Sequence, residues 1–205
     1  MPKSKQLILV FVVIIVLIIS LKTGLFRIND VSDRIKQEDI VILDTLLFES
    51  GDVLMRHGDS FISDYIAKSF PESHSMSHCG ILVQDEGVWK VIHSISGQIS
   101  GVDGIRIEKA NSFMANASNN NVILVKPKFH IDKQLISQLA WKYLKLKPEF
   151  DHAFNLNDRS KLYCSELVRA VYLEAGTKDI FIYKTIAGKK IIDFKSFFSD
   201  QYWSY

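Results

Sequence analysis

An uninterrupted apolar run near the N-terminus constrains the chain more than any other feature. It extends from Leu7 to Ile19 and continues through Leu21. At about 1.5 Å per residue a helix over this run reaches roughly 22 Å, and residues up to Phe26 bring it closer to the roughly 30 Å of a hydrocarbon core. A stretch without a polar face suits lipid better than it suits a half-buried helix. We therefore predict a membrane anchor over residues 1–26 rather than a buried core helix.

The residues around this run predict its orientation and its fate. Lys3 and Lys5 precede it, and positively charged flanks stay on the cytoplasmic side. No A-x-A-like cleavage site follows it, so an uncleaved anchor is favoured over a removed signal peptide. We expect a single-pass membrane protein with a cytoplasmic N-terminus. Residues 27–44 form a juxtamembrane linker in this interpretation, and residues 45–205 form a domain outside the cytoplasm, periplasmic or extracellular.

Composition excludes several classes of function. The 25 basic and 23 acidic residues are dispersed and leave a net charge of +2, so no basic arm or stripe predicts a nucleic-acid partner. Two cysteines, Cys79 and Cys164, are too few for a disulfide framework or a four-cysteine zinc site. A disulfide between them is an alternative in an oxidising compartment, but it would consume the candidate nucleophile.

Strand patterns are followed by helical patterns along the chain, which predicts an α+β domain. Two apolar strands, His78 to Val83 and Val88 to Ile95, are joined by a hairpin-like connection. A further strand is predicted over Asn121 to Lys126. Apolar residues then recur at helical spacing from Leu135 to Leu146 and from about Leu162 to Ala175.

Cys164 stands at the head of the last helical pattern. A thiol near a helix N-terminus feels the positive end of the helix dipole, which favours the thiolate and lowers the pKa. This position predicts a nucleophile, against the plainer interpretation of a small core hydrophobe. The cysteine begins an apolar stripe that should face the sheet, made with Leu167, Val168, Val171, Tyr172 and Ala175.

The predicted hairpin supplies two histidines, His78 and His93, on one sheet face. With a four-residue loop they lie directly opposite each other, and with a two-residue loop they are diagonal neighbours roughly 7–8 Å apart. Gly80 leaves that face bare, which we expect to let the N-terminus of the cysteine helix approach closely. Cys79 alternates with His78, so it should point to the other face and serve as inert packing.

These residues together predict a thiol hydrolase. Cys164 is the nucleophile, His78 the general base and later the acid, and His93 the residue that orients the His78 ring. The backbone N–H of Cys164 is one expected oxyanion donor. A zinc site made by His74, His78 and His93 is the alternative, but these histidines lack a compact ligand motif. We expect no cofactor and no metal.

Three segments carry a resemblance to a known family: Gly51-Asp52-Val53-Leu54, Ser77-His78-Cys79-Gly80-Ile81 and Tyr163-Cys164-Ser165-Glu166-Leu167. They resemble the circularly permuted papain-like cysteine hydrolases of the NlpC superfamily, in the YiiX-like branch, over about residues 45–180. The histidine strand precedes the cysteine helix in that branch, as it does here. Its orienting residue is often Glu on the strand after the histidine, a position taken here by His93.

The resemblance implies a permuted papain-like (NlpC-type) domain, in which a small antiparallel sheet packs on helices. It also implies hydrolysis or transfer at an amide or ester carbonyl, with cell-wall peptides or acylated lipids as candidate substrates. Our prediction is a membrane-tethered thiol hydrolase that works through a cysteine acyl-enzyme. The alternative is a non-catalytic ligand-binding module on the same fold.

Overall fold

The computed structural model describes residues 43–97, 101 and 103–205. The predicted anchor, residues 1–26, and nearly all of the predicted linker, residues 27–44, lie outside these ranges. Among the described residues, no helix combines the length and the apolar character that crossing a membrane requires.

Antiparallel strands form one six-stranded sheet. Its strands are β1 (Val53–Gly58), β2 (His78–Asp85), β3 (Val88–Ile95), β4 (Gly104–Lys109), β5 (Ala117–Pro127) and β8 (Trp203–Ser204). Their order across the sheet is β4-β3-β2-β1-β5-β8. A separate hairpin joins β6 (Tyr183–Ile186) to β7 (Lys189–Ile192). Strand β2, which begins with His78, therefore lies in the interior of the sheet between β1 and β3.

The turn between β2 and β3 contains two residues. Asp85 pairs with Val88, and the residues between them, Glu86 and Gly87, have positive φ angles of 49° and 78°. Two positive φ angles are typical of a type I′ turn, whose twist matches that of the flanking strands. The shorter of the two loops considered from the sequence is therefore the one present.

This turn fixes the register of the histidines. Ile81 pairs with Ile92, so His93 lies opposite Gly80 and diagonal to His78 on the same face of the sheet. Gly80 is required for this pairing. A Cβ atom there would lie 2.5 Å from Val91 Cγ1 and 2.8 Å from His93 Cβ. The bare surface over Gly80 is thus filled by the neighbouring strand and not, as expected from the sequence, by the cysteine helix.

In the part of the chain that the structure describes, four α-helices accompany the sheet. They are α1 (Phe61–Ser69), α2 (Ala110–Ala115), α3 (Lys133–Leu146) and α4 (Cys164–Glu174). Local capping starts two of them, because the side chain of Ser60 accepts the Ser63 N–H and that of Asp132 accepts the Leu135 N–H. Gly176 follows α4 with a φ of 91°, a left-handed conformation that suits glycine at a helix end.

The two faces of the sheet carry different cores. Helices α3 and α4 cover one face, where Cys79, Ile81 and Cys164 belong to one buried cluster. The opposite face carries a smaller cluster that includes Leu82 and Phe113, the latter from α2. The predicted α+β class and the small antiparallel sheet packed on helices are confirmed. Strand β4 and helix α2 were not predicted, and both contribute to the candidate site.

Candidate active site

Cys164 is the first residue of α4, as the apolar stripe predicted. Three hydrogen bonds fix the segment before it. The hydroxyl of Ser94 on β3 donates to the Leu162 carbonyl at 2.5 Å, and the Leu162 N–H donates to the Glu149 carbonyl at 2.9 Å. The hydroxyl of Tyr163 accepts the Ile192 N–H at 3.0 Å. The cysteine is therefore held where the helix leaves its N-terminal N–H groups without partners inside the helix.

The surroundings of the Cys164 sulfur favour the thiolate. A hydrogen bond from the Cys79 thiol lowers the pKa of Cys164, and burial opposes this shift. The backbone N–H groups of Cys79, Cys164 and Ser165 also donate to the sulfur and lower its pKa further. Burial, followed by this hydrogen bond, raises the pKa of Cys79 well above its usual value, so Cys79 remains a thiol and acts as the donor. Cys79 is therefore more than inert packing.

His78 is the first residue of β2, and its ring contacts His93. The Nε2 atom of His78 lies 2.7 Å from Nδ1 of His93. The ring of Phe113 stacks on His78 with a centroid distance of 5.6 Å. Burial, together with the electrostatic influence of His93 and the positive charges of Arg56 and Arg106, lowers the pKa of His78 well below its usual value. His78 is consequently neutral near pH 7, the form that can accept a proton.

His93 connects His78 to a cluster of buried and half-buried charged side chains. It is fully buried, and its Nε2 lies 3.0 Å from Oε1 of Glu108. Arg106 Nε lies 3.4 Å from the same His93 nitrogen. Arg56 Nη1 is 3.6 Å from the same Glu108 oxygen, and it also donates to the Phe113 carbonyl at 2.7 Å. The cluster thus places one carboxylate between two guanidinium groups beside the histidine pair.

The shorter contact decides which His93 nitrogen carries the hydrogen. A carboxylate only accepts, so Glu108 at 3.0 Å favours a hydrogen on Nε2 of His93. Burial opposes ionisation of Glu108, yet His93, Arg56 and Arg106 lower the pKa of the carboxyl overall, which keeps it charged. His93 Nδ1 then accepts from Nε2 of His78. This leaves Nδ1 of His78 without a hydrogen.

Sequence reasoning missed Glu108 and its two arginines. Glu108 lies on β4, two strands away from His78, and Arg56 lies on β1 in register with His78. The alternation of Ile105, Arg106, Ile107 and Glu108 was the available signal for this strand. Nothing in a single sequence indicates that its polar face meets His93.

The side chains of the predicted site residues lie on different faces of the sheet. His78 and His93 lie together with Arg56 and Phe113 on one face. Cys164 lies with Cys79 in the core on the other face. The two groups meet at the start of β2, because the N–H that Cys79 donates to the sulfur belongs to the peptide unit that follows His78. One peptide unit therefore separates the sulfur contact from the Cα atom of His78.

The residues described here contain no group of three or more His, Cys, Asp or Glu side chains arranged to hold a metal ion. His74, the third member of the alternative zinc site, instead has its ring 4.4 Å from that of Phe198. Glu166, two residues after Cys164, accepts the Tyr163 N–H at 3.4 Å. Burial raises the pKa of Glu166 to about 8, so it is largely uncharged at neutral pH.

Comparison with solved structures shows a shared fold. The crystal structure of metalloprotein yiiX from Escherichia coli O157:H7 superposes with a TM-score of 0.60 at 16% sequence identity. The match covers 76% of this chain and 94% of that chain. No curated protein sequence matches the chain at a significant level.

A family profile also matches most of the chain. The profile of the permuted papain-like amidase enzymes, YaeF/YiiX, C92 family, matches residues 48–203. These residues include every strand and helix described above except the last residue of β8. The chain belongs to the YaeF/YiiX family of permuted papain-like amidases, and it is accordingly a cysteine hydrolase.

Proposed function

We propose that this protein is a membrane-tethered thiol hydrolase that cleaves an amide or ester bond through a cysteine acyl-enzyme. Cys164 is the nucleophile, His78 the general base, and His93 orients the base. The observation that carries the proposal is the hydrogen bond between Nε2 of His78 and Nδ1 of His93. It occupies one ring nitrogen of His78 and leaves the other free to serve the sulfur.

The reaction follows from this proton arrangement. Nδ1 of His78 takes the proton of the Cys164 thiol while the sulfur attacks the substrate carbonyl carbon. The new C–S bond places negative charge on the carbonyl oxygen, which the backbone N–H of Cys164 at the start of α4 stabilises. The His78 imidazolium then protonates the leaving amine or alcohol as its bond to carbon breaks. Water, deprotonated by His78, hydrolyses the thioester and releases the acid.

Glu108 gives the imidazolium of His78 its electrostatic support. While His78 holds the additional proton, its Nε2 still donates to Nδ1 of His93, and the Glu108 carboxylate lies 3.0 Å from Nε2 of His93. The half-buried carboxylate thus compensates a positive charge that exists only during turnover. Such outer partners set the tautomer and orientation of the residues that they contact.

The membrane tether is proposed from the N-terminal apolar run, with the catalytic domain outside the cytoplasm. Candidate substrates are the cell-wall peptides and acylated lipids that such a domain meets. One surface favours the lipid: α1 exposes 85% of Phe61 and 61% of Tyr65. This helix begins three residues after β1, whose Arg56 pairs with His78. Aromatic rings are favoured at membrane–water interfaces.

The test uses the full chain in neutral detergent, incubated separately with cell-wall peptides and with an extract of acylated lipids. Mass spectrometry follows the loss of an acyl or peptide fragment. We expect products in one of the two incubations with the native chain and none with Cys164→Ser. A mass increase on Cys164 equal to the acyl group, trapped at low pH, identifies the acyl-enzyme.

A non-catalytic ligand-binding module on the same fold is the alternative. It predicts that substrates bind without being changed and that Cys164 has ordinary reactivity. Absence of products from both incubations, together with equal and slow alkylation of Cys79 and Cys164, would replace the hydrolase by this alternative.

A further inference from the structure

An open cavity lies beside the segment that leads into Cys164. Its volume is about 440 Å³. Its walls come from the loop before α4, from α4 itself and from the β6–β7 hairpin. Its lining residues include Phe154, Arg169, Asp179, Tyr183, Lys189 and Lys190. Neither the residues assigned to catalysis nor the family description accounts for it.

The cavity wall is positively charged. Arg169, Lys189 and Lys190 line it, and Asp179 is the only carboxylate among the lining residues. In the described part of the chain neither lysine forms an ion pair, and both are exposed. Three cations against one carboxylate leave an excess of two positive charges in a concave site, which attracts anions.

Fixed contacts hold Arg169 at this wall. Its Nε and Nη2 atoms donate to one carboxylate oxygen of Asp179 at 3.2 and 2.8 Å, and Nε also donates to the Tyr183 hydroxyl at 2.6 Å. Nη1 has no hydrogen-bond partner among the described residues. Lys190 Nζ lies 4.2 Å from the centroid of the Tyr183 ring. The tyrosine thus carries a guanidinium at its hydroxyl and an ammonium over its face.

The cavity is connected to the nucleophile through one residue. The Phe154 ring on the cavity wall lies 5.3 Å from the ring of Tyr163, which immediately precedes Cys164. The Tyr163 hydroxyl in turn accepts the N–H of Ile192, the last residue of β7. A group bound in the cavity therefore lies next to the chain segment that positions the sulfur.

We propose that this cavity binds an anionic group of the substrate, a phosphate or a carboxylate, while the acyl carbonyl lies at Cys164. An unpaired guanidinium nitrogen and two ammonium groups supply charge-assisted hydrogen bonds to such oxygens. This inference rests on the proposed function for the meaning of the site, but the binding of the anion does not require catalysis.

The test measures binding in the full chain carrying Cys164→Ala, in neutral detergent, by NMR titration or calorimetry. The probes are glycerol 3-phosphate, N-acetylglutamate and uncharged glycerol. We expect one or both anions to bind and glycerol not to bind. The double substitution Lys189→Ala/Lys190→Ala should weaken anion binding by about tenfold, the loss expected for two partly exposed charge contacts. Preference between the two anions distinguishes a phosphate-bearing from a carboxylate-bearing substrate.

The control is Lys68→Ala/Lys145→Ala, which removes the same charge from exposed helix positions away from the cavity. It should bind the anions as the unsubstituted chain does. No anion binding, or equal weakening by both double variants, would overturn the inference. Anion binding by the Cys164→Ala chain, together with no hydrolysis by the native chain, would leave the cavity in place and refute the proposed function, so the two failures are separable.

Discussion

His78 and His93 form a hydrogen bond of 2.7 Å between Nε2 and Nδ1, and the second nitrogen of His93 lies 3.0 Å from Glu108. A row of three polar groups therefore leads from a half-buried carboxylate to the free nitrogen of His78. The row crosses three neighbouring strands, β4, β3 and β2. In the proposed mechanism this row ends at the Cys164 sulfur.

The first prediction concerns the reactivity of the two cysteines. At pH 7 iodoacetamide should alkylate Cys164 much faster than Cys79, because the pKa of Cys164 is lowered and that of the fully buried Cys79 is raised. His78→Ala should slow alkylation of Cys164 by about tenfold or more, since the base is lost. Peptide mass spectrometry after timed labelling measures both rates. His130→Ala, outside the predicted site, is the control.

The second prediction tests the carboxylate of Glu108. Glu108→Gln keeps the shape but removes the charge that supports protonated His78, so kcat should fall by roughly 10–100-fold with little change in KM. The substituted amide also lets His93 adopt the other tautomer, and this should alter the pH dependence of kcat. Asp85→Asn, which removes a carboxylate from the surface pair with Lys90, should leave both unchanged. A fall in thermal stability without any change in kcat would show a purely structural role.

The third prediction separates hydrogen bonding from packing at Cys79. Cys79→Ala removes the donor to Cys164, so the pKa of Cys164 should rise and its alkylation should require higher pH. Cys79→Ser restores an O–H donor and should recover part of the shift. The pH–rate profile of Cys164 alkylation measures this, and the melting temperature reports packing. Identical profiles for the two variants would mean that the thiol acts only by filling space.

The fourth prediction concerns Gly80. Gly80→Ala forces a Cβ against Val91 Cγ1 at 2.5 Å and His93 Cβ at 2.8 Å. Overpacking of this kind costs about 1–3 kcal/mol and should displace His93 from His78, so that both the free energy of unfolding and kcat fall. Gly87→Asn is the matched control in the same hairpin, because nothing lies within 4 Å of its Cβ position and Asn tolerates a positive φ. Unchanged activity in Gly80→Ala would argue against a need for His93 at that position.

The fifth prediction concerns pH and stability. Burial raises the pKa of Glu166 to about 8 from an ordinary value of 4.5, so the folded state binds a proton that the unfolded state releases. Stability is therefore full below about pH 4.5 and falls as the pH rises towards 8. Glu166→Gln carries no such proton, and its free energy of unfolding should decrease less between pH 5 and pH 8, by roughly 2–4 kcal/mol. Urea unfolding of the full chain at both pH values measures the difference, and parallel pH dependences would contradict it.

The sequence by itself determined the elements that carry the chemistry. The apolar stripe headed by Cys164 predicted a helix from about Leu162, close to the α4 that begins at Cys164, and strand alternation predicted that His78 and His93 share a face. Both follow from local periodicity, which depends on near neighbours in the chain. The sequence also limited the hairpin connection to a loop of two or of four residues, and both lengths keep the two histidines on one face.

Only the tertiary structure decided what surrounds those residues. Pairing of β4 with β3 brings Glu108 to His93, and pairing of β1 with β2 places Arg56 beside His78. Such pairings between distant segments cannot be read from local residue spacing. The packing of α4 on the sheet placed Cys79, and not the surface over Gly80, against the cysteine helix. Side-chain alternation states which residues share a face, but the packing of helices on the sheet decides which face receives the sulfur.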